Sequence, residues 1–156
     1  MNTEILFPNE VILETQYFKV SQDWEVPISG FFIIATKRKI RSVCDFTKQE
    51  ASQFISILCE VRRGMQEKLK INDTYLFQNE DTKHGFHFWL FPRHDWMEPF
   101  GRKIQSVKEI MDYAKKIETI EPIIEHSKKT MNKENIIKNV KDNAQIMRQY
   151  LKDFSC

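Results

Sequence analysis

The stretch Gln78-Asn79-Glu80-Asp81-Thr82-Lys83-His84-Gly85-Phe86-His87-Phe88-Trp89-Leu90-Phe91-Pro92-Arg93-His94 decides how this chain is read. Three of the four histidines fall within its last eleven residues. From residue 86 to residue 91 the run is apolar except for His87. Side chains alternate faces along a strand. Phe86, Phe88 and Leu90 then share one face, and His87, Trp89 and Phe91 share the other. A histidine in such a strand needs a partner or a task, because burying an unpaired polar group is costly.

Further short runs of the same type lie at residues 11–13, 17–20, 31–36 and 74–78. Pro27-Ile28-Ser29-Gly30 is a breaker cluster that returns the chain into the sheet at Phe31. One helix interrupts the strands. Thr47-Lys48-Gln49-Glu50 has the form of a capping box, in which Thr47 accepts from the Glu50 N–H and Glu50 reaches back. Ala51, Phe54, Leu58, Val61, Met65 and Leu69 then recur at helical spacing and form one apolar face. The helix is expected to end near Lys70, with a turn at Asn72-Asp73. Beyond residue 101 the sequence changes character. Val107, Ile110, Met111, Ala114 and Ile117 make one helical stripe. Ile136, Ile137, Val140, Ala144, Met147 and Leu151 make another, with breaks at Pro122 and in residues 126–132. The order of elements predicts an α+β domain with an antiparallel sheet over residues 1–101 and a C-terminal helical extension over residues 102–156.

Composition sets the outer limits. The chain has 156 residues, enough for one domain, with 41% hydrophobic and 29% charged residues, so it can bury a core. Its net charge of +2 makes no case for nucleic-acid binding. The charge is uneven: residues 1–101 hold 12 basic and 14 acidic side chains, and the remainder hold 12 and 8. The basic tail reads as a solvated helical face. Cys44, Cys59 and Cys156 show no CxxC spacing, which suits a reduced, cytoplasmic protein. No apolar run approaches the roughly 20 residues of a membrane span. The first ten residues lack the pattern of a signal peptide. His84, His87, His94 and Cys44 match no strong zinc spacing, so neither a metal nor another cofactor is expected.

The quoted stretch resembles the histidine triad (HIT) family, whose signature is His-φ-His-φ-His-φ-φ, with φ apolar, often followed by Pro-Arg. Aligning on Phe91-Pro92-Arg93 places His87 at the central histidine, the family's nucleophile. Gly85 and Trp89 stand at the two flanking histidines. Upstream, Asp23-Trp24-Glu25-Val26-Pro27-Ile28-Ser29-Gly30-Phe31-Phe32-Ile33-Ile34-Ala35-Thr36-Lys37-Arg38-Lys39 follows the family's pattern without a gap. Cys44-Asp45-Phe46-Thr47 then leads into the helix, and Phe31 stands where the family has a fourth histidine. The resemblance covers about residues 8–100, and the tail has no counterpart in it.

The resemblance implies a nucleotide hydrolase or transferase acting at an α-phosphate, on a dinucleoside polyphosphate or a phosphoramidate-type nucleotide. It places Asp23 at the ribose hydroxyls, although Asp23 also reads as a turn residue. Gln78 or Asn79 stands at the α-phosphate, with Trp89, Arg93 and His94 as further substrate contacts. An imidazole has an ordinary pKa of about 6.5 and is mostly neutral at pH 7, so it has a lone pair for attack. A bulge at Gly85 would turn His84 toward His87 as a support. The alternative is a nucleotide-binding or interaction module that keeps the fold and has weakened catalysis, because Gly85, Trp89 and Phe31 move no proton. The family commonly forms homodimers through its helix and a central strand, and the same is expected here.

Overall fold

A computed structural model describes residues 11–23, 25–116 and 133–155. Five strands form one sheet: β1 (Val11–Glu14), β2 (Phe18–Gln22), β3 (Phe32–Thr36), β4 (Thr74–Gln78) and β5 (His87–Pro92). Their order across the sheet is β1-β2-β3-β5-β4, and every neighbouring pair is antiparallel. Helices α1 (Lys48–Glu67), α2 (Ile104–Lys115) and α3 (Lys133–Tyr150) complete the α+β architecture. The five strand runs read from the sequence are all present. The third and fifth are direct neighbours, with Ala35 opposite His87 and Ile33 opposite Trp89. Phe31 and Phe86 lie just outside their strands, as buried residues at the strand entrances.

Period-two alternation assigns the two faces. Phe18, Val20, Phe32, Ile34 and Leu90 pack against Ile57, Val61 and Met65 of α1 and Ala144, Met147 and Leu151 of α3. On the opposite face Phe31 and Phe91 pack with Val26, Ile28 and Met97 against Val107, Ile110 and Ala114 of α2. Each fully buried side chain of this size stabilises the fold by about 1.5–3 kcal/mol relative to exposure. The C-terminal extension therefore contributes one helix to each face of the sheet. Ile117, Pro122 and the break over residues 126–132 lie outside the described residues.

Three details of α1 differ from the sequence reading. Thr47 does cap the helix, accepting the Glu50 N–H at 3.1 Å. Glu50 does not reach back. The residue is 4% exposed and its carboxylate takes a fork from Arg38, Nε at 3.1 Å and the second guanidinium nitrogen at 3.2 Å. A charge-assisted fork from a planar guanidinium outcompetes a single N–H donor. Ala51 faces solvent, and Ile57 and Gly64 join Val61 and Met65 in the buried stripe, with Phe54, Leu58 and Leu69 packed against it. The helix ends at Glu67, and the chain turns at Lys70, whose φ of 58° is left-handed, before Asn72 is reached.

Candidate functional site

The register of the three central strands builds the floor of a cleft. One row across the sheet is Lys19–Ala35–His87 and the next is Ser21–Ile33–Trp89. These residues face away from α1 and α3. Small Ala35 and Ser21 leave space above the sheet. The β2–β3 loop, the β4–β5 loop and α2 supply walls around it: Asp23 and Glu25, Asn79, Thr82 and His84, and Met111 and Lys115. The cleft has a volume of about 400 Å³, within the range that holds a small organic ligand.

His87 is held in one tautomer. Its Nδ1 lies 2.5 Å from the Gly85 carbonyl oxygen. A carbonyl only accepts, so Nδ1–H donates and Nε2 carries the lone pair. The ring lines the cleft and is half-buried. His84 stands beside it, with ring centroids 6.0 Å apart at 76°. Both imidazoles therefore face the same space, despite their three-residue separation. The β4–β5 loop brings this about, with the Phe86 N–H bonded to the Ile40 carbonyl at 2.8 Å and β5 starting only at His87.

Asp23 forms the expected turn and also lines the cleft. Its Oδ1 accepts the Glu25 N–H at 3.1 Å, forming a turn, and the residue lines the cleft. The sequence reading missed the side chain that organises this loop. Gln22 is buried, donates to the carbonyls of Ile28 at 2.8 Å and Asp23 at 3.0 Å, and accepts the Gly30 N–H at 3.2 Å. A buried amide with three bonds to one loop fixes where Asp23 stands. The signal for Gln22 was its place on the core face of β2, where a polar residue needs partners.

The structure brings Asp23, Asn79, His84, His87 and Trp89 together around the cleft. Gln78, Arg93 and His94 stand outside its lining. Gln78 donates to the Arg41 carbonyl at 3.0 Å and ties the end of β4 to the loop after β3. Arg93 donates to the Gly101 carbonyl at 2.6 Å and to Glu98 at 3.2 Å, closing the turn of Asp95–Phe100. His94 Nε2 donates to the Ser29 carbonyl at 2.6 Å. In each case a backbone carbonyl competes successfully for the donor. Trp89 lines the cleft but is anchored in an aromatic cluster, 4.8 Å from Phe77 and 5.6 Å edge-on to Phe31. Among the described residues, no group of three His, Cys, Asp or Glu side chains is placed to hold a metal ion, and no helix is long and apolar enough to cross a membrane.

Burial pushes the His94 imidazole below its ordinary value, while the Ser29 carbonyl and the charge of Asp95 pull the other way. His94 is thus neutral in the folded protein over a range where the unfolded chain binds a proton, beginning near pH 6.5. Its stabilising contribution is present above that pH and is lost as pH falls through the lower folded value. The melting temperature of the parent should drop more steeply below about pH 6.5 than that of His94→Gln. Parallel melting curves for the two proteins would contradict the assignment.

No family model matches the sequence, and no curated protein matches it. Solved structures do match. A Zn-bound histidine triad family protein from Mycobacterium smegmatis superposes with a TM-score of 0.56 at 13% identity, over 94% of this chain and 86% of that one. A hypothetical histidine triad nucleotide-binding protein from Sulfolobus tokodaii strain7 gives a TM-score of 0.58 at 13% identity over the same shares. The fold is that of the histidine triad proteins. A Hit-like protein involved in cell-cycle regulation from Bartonella henselae agrees, with a TM-score of 0.56 at 14% identity over 93% of this chain and 88% of that one. Coverages of this size reach beyond residues 8–100, the stretch that carries the sequence resemblance. At such identities the likeness carries the HIT fold, and the chemistry rests on this chain's own residues.

Proposed function

We propose that the cleft binds a nucleotide and that His87 attacks its α-phosphorus, making the protein a HIT-like nucleotide hydrolase or transferase. The observation that carries this reading is the Gly85 carbonyl at 2.5 Å from Nδ1, which leaves Nε2 as the nucleophilic nitrogen of a cleft-lining ring. Attack forms an Nε2–P bond and breaks the P–O or P–N bond to the leaving group, which departs with the electron pair. Water then breaks the N–P bond and releases the nucleotide. Two displacements replace one harder step. Asp23 and Asn79 are the proposed contacts to ribose and α-phosphate, and His84 supports the phosphate from beside His87.

In this reading residues 1–101 carry the chemistry. The extension from residue 102 braces the sheet and adds Met111 and Lys115 to the cleft wall. Cys44 and Cys59, exposed and unbridged, suit a cytoplasmic location. A homodimer is also part of this reading, at edge strand β4 with its exposed Leu76 and not at the central strand expected from the resemblance, because β2, β3 and β5 are each paired on both sides.

The test is to incubate the protein with a nucleotide labelled at the α-phosphate and quench rapidly. Label should appear on the protein in an acid-labile, alkali-stable form, as expected for phosphohistidine-type bonds. Turnover without any such adduct would overturn the nucleophilic role.

A second reading has its own observation. Where HIT proteins carry two of their histidines, this chain packs Phe31 on Trp89 at 5.6 Å. Neither residue can transfer a proton, and losing general-acid help typically costs about 10²–10⁴-fold in rate. A module that binds nucleotides and turns them over slowly or not at all fits that wall. Nucleotide binding by the parent protein with no adduct and no turnover would select it.

A further inference from the structure

A second groove adjoins the cleft. It is about 620 Å³ in volume and is lined by Arg38, Lys39, Arg41 and Lys83 against a single carboxylate, that of Asp45. Thr82 and His84 line both spaces, so the groove continues the cleft past His84. Arg38 is committed to Glu50 and to the Asp45 carbonyl. Asp45 accepts the Ser42 N–H at 3.2 Å. The side chains of Lys39, Arg41 and Lys83 have no hydrogen-bond or ion-pair partner among the described residues. Three cations with one neighbouring carboxylate concentrate positive potential at one end of the cleft. Residues 1–101 as a whole are slightly acidic, so this charge is local and not part of an extended basic surface. A short, dense anion suits that arrangement better than a nucleic-acid backbone, which needs cations along its length.

We infer that this groove is an oligophosphate site, holding the phosphate chain that runs on from an α-phosphate seated at His87. The direction of the chain rests on the proposed attack by His87; anion binding by the groove does not. The placement has a chemical consequence. When Nε2 bonds to the α-phosphorus, the bond to the bridging oxygen breaks and the electron pair leaves on that oxygen. An oligophosphate departs as a stable anion, and Lys39, Arg41 and Lys83 neutralise the charge as it develops. An amine leaving group must instead receive a proton on nitrogen, which Gly85 and Trp89 cannot transfer and which charge neutralisation does not replace. Cations at the leaving-group end favour a phosphoanhydride, whose leaving group carries the developing charge, over a phosphoramidate.

The probe is inorganic tripolyphosphate, titrated calorimetrically into the full chain. Three proteins are compared: the parent, His87→Ala, and the triple variant Lys39→Gln/Arg41→Gln/Lys83→Gln. All three substituted cations are exposed, and circular dichroism checks that the triple variant is folded. Tripolyphosphate should bind the parent and His87→Ala alike, and at least tenfold more weakly to the triple variant. Orthophosphate should bind the parent at least tenfold more weakly than tripolyphosphate. With active protein, the triple variant should lose at least tenfold in kcat/KM on a nucleoside polyphosphate and stay within about twofold on a nucleoside phosphoramidate. Undiminished tripolyphosphate binding by the triple variant overturns the proposal, as does absence of binding to the parent. Tighter binding of a single-stranded oligonucleotide through the same three cations overturns it too. Groove binding without any His87 adduct would sink the nucleotidyl-transfer reading and leave the oligophosphate site standing. An adduct without tripolyphosphate binding would do the reverse.

Discussion

Replacing His87 by alanine should abolish adduct formation and lower nucleotide turnover by at least about 10³-fold, the scale on which loss of a covalent nucleophile is felt. The fold should survive. His87 points away from the cluster that packs α1 and α3, sits opposite small Ala35, and is half-buried at the cleft wall. The substitution removes one strong hydrogen bond, to the Gly85 carbonyl, and that carbonyl belongs to a partly exposed residue that water can reach. The expected stability change is under about 1 kcal/mol, as for replacements away from the core. His87→Asn makes the comparison sharper, since an amide can still donate to Gly85 but cannot attack phosphorus. Both variants should be inactive and both should bind nucleotide. Activity retained in either one would move the nucleophile elsewhere. Loss of the folded state would mean that His87 is a structural core residue.

The sheet was legible because alternation and pairing follow from residue type. The run of residues 86–91 announces which side chains share a face, and β3 and β5 then meet with Ala35 opposite His87. The position of His87 could be read from spacing, and so could the cap at Thr47. Partners that are backbone carbonyls could not. Gln78, Arg93 and His94 look like substrate ligands as residue types, yet each is taken by the carbonyl of Arg41, Gly101 or Ser29. Carbonyls occur at every position, so no sequence signal says which one lies within reach. The Arg38–Glu50 fork was hidden for a related reason: the capping-box spacing fits a local bond, and the twelve-residue pairing that wins depends on how the β3–α1 connection folds. The basic groove was equally unreadable, because Lys83 lies more than forty positions from Lys39 and Arg41 and the β4–β5 loop alone brings them together.

The C-terminal extension tests the same logic at the level of packing. Read alone, α3 is an amphipathic helix that could cover this sheet or another molecule. Its apolar stripe of Val140, Ala144, Met147 and Leu151 is fully buried within the one chain, with Ala144, Met147 and Leu151 joining the cluster of α1 and the sheet. The helices approach closely at Gly64: a Cβ there would stand 2.7 Å from the Tyr150 ring and 2.8 Å from Met147 Cε. Tyr150 and Arg148 tie the same helix down, through bonds to Glu60 at 2.7 Å and to the Val11 carbonyl at 3.0 Å. Met147→Ala should therefore destabilise the protein by about 2–5 kcal/mol, the range for emptying a buried methionine site. Ile146 is the internal control, being 41% exposed on the same turn. Ile146→Ala should change stability by less than about 0.5 kcal/mol. Urea denaturation of the two variants beside the parent reads both numbers. If both cost the same small amount, α3 is not part of the core in solution and its stripe belongs to another surface. If Met147→Ala alone shifts the midpoint, with an unchanged slope, the extension folds with the sheet as one cooperative unit.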